Sequence, residues 1–362
     1  MTVILFIAVL VLLIVAHEFG HFIVAKLSKM RVDEFGIGFP PKIVGKKIGE
    51  TEYTINWLPF GGFVRIFGED SEVGVDERAF SNRPKRLQAA TLVAGPFANI
   101  VLAFVLSSMA FIVGTPTVID SEEELARADN QRVLIGAVLP ESPAAMAGIM
   151  PGDEIYALVS GEEVLNIHHP DQISELVTNP EETFELRVKR NDEEIAFKVS
   201  PVTGLIEEEP NRVAIGIAMA LVGTVSYNPV EALVKGFQDT AQDFVFILVS
   251  LIGLIGSALT FSADVSNLAG PVGIASLTGE AAAFGLGSLF SFAALLSINL
   301  AIINILPFPA LDGGRLLFLG IETVTRRKIP SSVAQTVNAA GFFILILLMI
   351  AITVGDISRL MG

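Results

Sequence analysis

The chain has 362 residues, 52% of them hydrophobic, with a mean hydropathy of +0.62 and a formal net charge of −15. It is too apolar to be wholly soluble and too charged to be a bare membrane bundle, so regions of both kinds are expected. The absence of cysteine excludes structural disulfides and thiolate metal sites, so any metal must be held by histidine and carboxylate.

The first segment, residues 1–26, is an apolar run long enough for one bilayer crossing. It lacks the basic n-region of a secretory signal and is read as a retained span. Near its end stand His17, Glu18, Phe19, Gly20 and His21, the H-E-x-x-H pattern. On a helix, His17 and His21 lie one turn apart on one face, where two imidazoles can grip one cation, with Glu18 placed to act as a base on water. An ionisable side chain near mid-membrane costs about 2.5–3.5 kcal/mol, so Glu18 requires a partner.

Residues 27–90 follow as a loop. Eleven of the 24 Lys and Arg residues fall between Lys26 and Arg86, which assigns this loop to the cytoplasmic side. Residues 91–114 are read as the second span and 115–130 as a linker. From 115 to 241 there are 23 acidic residues against eight basic ones, which puts this stretch outside. Within it, residues 131–203 carry short β-branched runs at 133–139, 153–159, 183–189 and 194–199, with a helical stretch at 171–177, enough for one small α+β domain. His168 and His169 fall in a loop of that domain and are read as solvent-exposed polar residues.

Residues 204–282 contain a further apolar segment, 244–261. A third span covers 283–320, a second basic cluster at Arg326, Arg327 and Lys328 marks a cytoplasmic loop at 321–338, and a last span covers 339–356. An even number of crossings must separate the two basic loops, so segment 244–261 is expected to lie at the interface or against the bundle. A fifth span is the alternative.

A zinc hydrolase of the H-E-x-x-H type needs a third protein ligand. With no other histidine in an apolar segment, the candidate is Asp312, set in Asn304-Ile305-Leu306-Pro307-Phe308-Pro309-Ala310-Leu311-Asp312-Gly313-Gly314, where two prolines and two glycines interrupt the helix. Broken backbone at membrane depth is tolerated where it lines a cavity.

Two family resemblances rest on these residues. Ser142-Pro143-Ala144-Ala145, Ala147-Gly148-Ile149 and Pro151-Gly152-Asp153-Glu154-Ile155 resemble the PDZ family in its bacterial protease-associated form. The H-E-x-x-H at 17–21, the N-x-x-P-x-P-x-L-D-G-G at 304–314, Gly95-Pro96 with Asn99, and Gly270-Pro271-Val272-Gly273-Ile274 resemble the site-2 protease family, intramembrane zinc metalloproteases, over nearly the whole chain.

The resemblance implies a polytopic α-helical membrane protein of about four transmembrane helices, with a membrane-associated β-hairpin or sheet in the first loop and one extracytoplasmic PDZ domain. It implies Zn2+ held by His17, His21 and Asp312, with Glu18 as general base and Asn304, Pro307, Gly36 and Gly38 in substrate binding. The implied substrates are single-span membrane proteins, such as anti-sigma factors or remnant signal peptides, cleaved within the bacterial inner membrane near its cytoplasmic side. Membrane lipid and an extended peptide or carboxyl terminus at the PDZ domain are the other expected partners, and no nucleic acid is expected. The family's juxtamembrane pattern is met by Phe80, Asn82 and Arg83, but Gln88 stands where a later basic residue is usual, with Arg86 a half-turn earlier. Two rivals keep the same motifs: a membrane-anchored PDZ scaffold with an inactive or structural metal site, and a hydrolase acting on a lipid or small molecule.

Overall fold

A computed structural model describes residues 2–69, 74–161, 163–180, 182–190, 193–205, 209–260 and 269–361. Helix α1 (Thr2–Leu27) leads into β1 (Val32–Ile48), β2 (Thr51–Ile66) and α2 (Lys85–Val113). A β-rich stretch follows: β3 (Thr115–Val118), α3 (Glu122–Arg127), β4 (Ala128–Val138), α4 (Pro143–Ala147), β5 (Glu154–Ser160), β6 (Glu163–Asn166), α5 (Pro170–Leu176), β7 (Phe184–Arg190), β8 (Glu193–Val199) and β9 (Ile217–Val225). The chain ends in α6 (Pro229–Leu259), α7 (Pro271–Ala283), α8 (Leu286–Ile305), α9 (Asp312–Thr325) and α10 (Ser331–Met361). Contacts divide it into a helical unit, Met1–Val113 with Asn228–Gly362, and a β-rich unit, Gly114–Tyr227.

In the helical unit, the buried residues of α1 recur every fourth position: Val9, Leu13, His17, His21 and Ala25. One ridge therefore carries both the packing residues and the polar pair. The ridge meets α2 and α8 in a core that includes Ala103, Leu106, Ala294 and Ile298. Helix α1 stops where Lys29 turns left-handed (φ 57°) and Met30 N bonds back to Ala25 O, with the Met30 side chain buried beneath.

Among the described residues, five helices are long and apolar enough to cross a membrane: Thr2–Leu27, Lys85–Val113, Pro229–Ala258, Leu286–Ile305 and Ser331–Arg359. The segment expected at 244–261 is the second half of the continuous helix α6, and its last residue lies outside the described residues. Asn228 caps α6, its Oδ1 accepting from Val230 N and Glu231 N at 3.1 Å each, and Pro229 occupies the first helical position. The helix packs on α2, where Gly236 sits against Ser108 and Ser107 donates to Asp239 at 2.6 Å. The Gly270-Pro271 motif opens α7, and Asp356 of α10 accepts from Gly270 N and Gly273 N at 3.1 and 2.8 Å. A carboxylate so placed satisfies free amides at a helix N-terminus.

The first loop folds as a sheet, but with a register beyond the expected hairpin. Residues 34–37 of β1 pair on one side with 52–55 of β2, residues 32–37 pair on the other with 62–66, and 42–48 pair with 51–56. Four short segments thus lie in the order 42–48, 51–58, 32–37, 62–66. Segment 62–66 is an edge.

The β-rich unit is a seven-stranded sheet in the order β3-β9-β4-β5-β7-β8, with β6 paired to β5. Its core gathers Val133, Ile135, Ile155, Leu158, Leu186 and Val188. The boundaries expected at 131 and 203 are too narrow on both sides. Strand β9 pairs with β4 from Val138↔Ile217 to Ala128↔Val225, and β3 pairs with β9, so the supposed linker and the residues after 203 complete the sheet.

Asp153 is fully buried in this unit. It accepts from Arg190 Nε and Nη2 at 2.6 and 2.7 Å and from Met150 N at 2.9 Å. The hydrogen bonds to that carboxylate hold the Arg190 guanidinium above its ordinary pKa. Asp153→Ala is expected to destabilise the unit by about 2 kcal/mol through loss of charge-assisted bonds. The measurement is limited proteolysis of the full chain, where cleavage between residues 114 and 227 should accelerate.

Candidate metal centre

Three side chains from distant parts of the sequence meet at one point. His17 and His21 come from α1, and Asp312 is the first residue of α9. Asp312 Oδ2 lies 3.0 Å from His17 Nε2 and 3.3 Å from His21 Nε2, and the two Nε2 atoms are 3.2 Å apart. Donor atoms bonded to a tetrahedral zinc at about 2.0–2.1 Å stand about 3.3 Å from one another, so this triangle has the size of one face of such a site.

The protonation pattern agrees. His21 Nδ1 lies 2.7 Å from the Thr91 carbonyl of α2, which can only accept, so Nδ1 carries the proton and Nε2 presents a lone pair. His17 Nδ1 faces the Asn99 amide nitrogen at 3.3 Å, which leaves the buried Asn99 oxygen with no hydrogen-bond partner. A half-turn of that amide lets the oxygen accept from Nδ1–H, which turns a lone pair of His17 Nε2 toward the triangle as well. Asp312 Oδ2 is buried within ion-pairing range of both rings yet takes a hydrogen bond from neither. Three Lewis-basic atoms held this close fit a divalent cation.

Local sequence explains the convergence. A Cβ on Gly20 would lie 2.2 Å from Ala94 O, and one on Gly95 would lie 2.2 Å from His21 Nε2, so glycine at these positions lets α1 and α2 touch beside the imidazoles. The helix broken after Ile305 restarts at Asp312. There a Cβ on Gly313 would meet Leu306 O at 2.1 Å and one on Gly314 would meet Phe308 O at 2.3 Å, so the turn closes only over glycine. Asn338 of α10 braces it by accepting from Ala310 N at 3.2 Å.

Glu18 Oε2 accepts from Val64 N at 3.0 Å, tying it to the edge segment 62–66. Both belong to a cavity of about 370 Å³ that also includes His21, Asp312, Arg315 and Glu69. Asn304 is half-buried in the last turn of α8 and Pro307 is exposed in the turn after it; neither is among the residues lining that cavity. Gly36 and Gly38 fall on the central segment of the sheet. A Cβ on Gly36 would strike the Phe63 ring, and Gly38 O accepts from Asn56 Nδ2 at 3.0 Å. Gly36 is paired on both sides, with Phe63 and with Thr54, which leaves residues 62–66 as the free edge within the loop.

Gln88, at the position where a basic residue was expected, is buried and donates to Arg83 O at 2.7 Å, while Arg83 donates to Ser28 O. Gln88 thus fastens the start of α2, and Arg86 is exposed. Sequence reasoning missed Thr91 and assigned no role to Arg315. Thr91 acts through its backbone, which leaves no side-chain signal.

An apolar helical bundle that carries this triad beside a glutamate defines a membrane zinc metalloprotease. The chain belongs to Peptidase family M50, the site-2 proteases, whose family model matches residues 5–348. It is similar to a Clostridium perfringens protein named as a zinc metalloprotease, 35% identical over 347 residues that cover 95% of each chain. The Regulator of sigma-W protease RasP of Bacillus subtilis is 31% identical over 445 residues, covering 99% of both chains. The chloroplastic membrane metalloprotease ARASP of Arabidopsis thaliana is 32% identical, covering 97% of this chain and 77% of that one.

Asn99→Leu is expected to weaken zinc binding about 10–100-fold by releasing His17, whereas Asn99→Asp, which keeps an acceptor on Nδ1, retains most of the affinity. Competition with a graded chelator measures both.

Proposed function

We propose that this membrane zinc metalloprotease cleaves peptide bonds within transmembrane segments of single-span membrane proteins, with His17, His21 and Asp312 holding the metal and Glu18 as general base. The observation that carries the reading is the convergence of the three donor atoms in a helical bundle, with Glu18 beside a sheet edge. Zinc, when bound, polarises the scissile carbonyl and lowers the pKa of water toward about 7. Glu18 takes the water proton and returns it to the leaving amine. A helical substrate hides its carbonyls, so it must unwind before attack. Segment 62–66 offers an edge to which an unwound chain adds as a strand, and Val64 N–H lies on that edge. Asn304 and Pro307 flank the turn ahead of Asp312 and contribute to holding the substrate from the side opposite the sheet.

The β-rich unit is read as a PDZ-type domain. Between β9 and α5 lies an apolar cavity of about 270 Å³ lined by Ile173, Val177, Gly216, Ile217 and Met219, while β3 and Ile119 just after it occupy the β9 edge from Leu221 to Val225. A free edge continuing into an apolar groove suits an extended peptide or a carboxyl terminus. The positive-inside distribution favours four crossings, with α6 against the bundle, the β-rich unit outside and the metal centre toward the cytoplasmic face of a bacterial inner membrane. The name of the Bacillus relative, Regulator of sigma-W protease, favours membrane-bound regulators of transcription as substrates.

The test is co-expression with a tagged single-span protein shorn of most of its outer domain. Glu18→Gln should reduce release of the cytoplasmic fragment by about 10²–10⁴-fold while retaining about one zinc per chain. The combined His17→Ala and His21→Ala variant should lose both the metal and activity. Equal fragment release by wild type and Glu18→Gln contradicts the assignment.

A further inference from the structure

Beside the catalytic cavity lies a second one, of about 380 Å³, whose lining mixes charged and polar side chains, Lys85, Gln88, Glu322 and Lys328 among them, with apolar ones such as Phe80 and Phe318. Glu322 and Lys85 form an ion pair there, joining α9 to the start of α2. Lys328 belongs to the basic cluster between the last two apolar segments, which places this cavity on the side of the membrane where the positive charge and bulk water lie.

Among the described residues, two line both cavities, Glu69 and Arg315. They are ion-paired to each other. Arg315 stands one helical turn after Asp312, and Glu69 lies just past the edge segment 62–66 that holds Glu18. The pair therefore joins the two elements that present the ligand and the base, and its side chains form the wall between the two spaces.

Hydrolysis consumes one water for every bond cut, and His17, His21 and Asp312 sit on helices of a largely apolar bundle. We propose that the Glu69–Arg315 pair is a movable partition through which water reaches the catalytic cavity from the second cavity, which carries the charged Lys85, Glu322 and Lys328. Closed, it keeps the water population around Glu18 and the ligands small, so that fixed dipoles act at full strength. Open, when Arg315 swings toward the Glu322 side of the second cavity, it joins the two spaces. The inference rests on reading the 370 Å³ cavity as the catalytic one.

The cysteine-free chain makes the test direct. Ala310 lines only the catalytic cavity and Ala334 only the second one, so Ala310→Cys and Ala334→Cys report on the two sides of the pair. The reaction rate of each with a small charged methanethiosulfonate is measured on the zinc-loaded full chain in proteoliposomes, with and without Glu69→Ala. Removing the pair should speed labelling at position 310 about fivefold or more, the change in open population expected when an ion pair of this exposure is lost. Labelling at position 334 should not change. Exchanging the charges, Glu69→Arg with Arg315→Glu, should restore slow labelling at position 310, and Arg315→Gln replaces Glu69→Ala if that variant does not accumulate. Unchanged labelling at position 310 when the pair is broken, or failure of the exchanged pair to slow it, overturns the proposal. Labelling needs no turnover, so its failure is separate from failure of the catalytic assignment, which the Glu18→Gln comparison reads.

Discussion

The site depends on how closely α1 and α2 approach each other. Gly20 and Gly95 leave no room for a side chain between the helices, and that contact brings the Thr91 carbonyl and the Asn99 amide to the outer nitrogens of the two imidazoles. In an apolar medium two histidines and a glutamate on one helix are tolerable only if each polar atom has a partner. Helix α2 supplies two of these partners through a backbone oxygen and one amide. It is held in turn by α8, where Ser297 donates to Asn99 O at 2.8 Å. A larger residue at position 20 or 95 would therefore disturb the two imidazoles and the packing together.

The same economy governs the approach of Asp312. The chain must leave a membrane helix, turn and restart a helix within the few residues from Leu306 to Leu311, with its backbone groups satisfied. Prolines end the first helix, two glycines let the second begin against the carbonyls of Leu306 and Phe308, and α10 closes over the turn with Gly341 on Pro309. The carboxylate that emerges is fixed by the backbone, which is what a ligand in a rigid triad requires.

Much of this was legible in the residues. Polar side chains inside apolar runs are costly enough to stand out, so His17, Glu18, His21 and Asp312 could be paired across almost the whole chain before any geometry was known. The strands at 133–139, 153–159, 183–189 and 194–199 were legible from their β-branched content. The sheet register was not, because it depends on one segment, 32–37, pairing on both sides, and period-two patterning says nothing about which edge remains free. For that reason the free edge at 62–66 could not be singled out within the first loop. The role of β9 was hidden too, since a strand that pairs with a partner some ninety residues away leaves no local sign of where its domain ends. Arg315 looked like the ordinary residue after a motif, and only the shared wall of two cavities gives it a role.

The central claim is that two imidazoles and one carboxylate, brought from the two ends of the chain, hold a single zinc. Zinc K-edge absorption on the purified protein tests it most directly. The account predicts one zinc with a first shell of nitrogen and oxygen at about 2.0–2.1 Å, two imidazole contributions among them, and a large fall in bound zinc on Asp312→Ala. Zinc bound undiminished in that variant, with an unchanged shell, would contradict it.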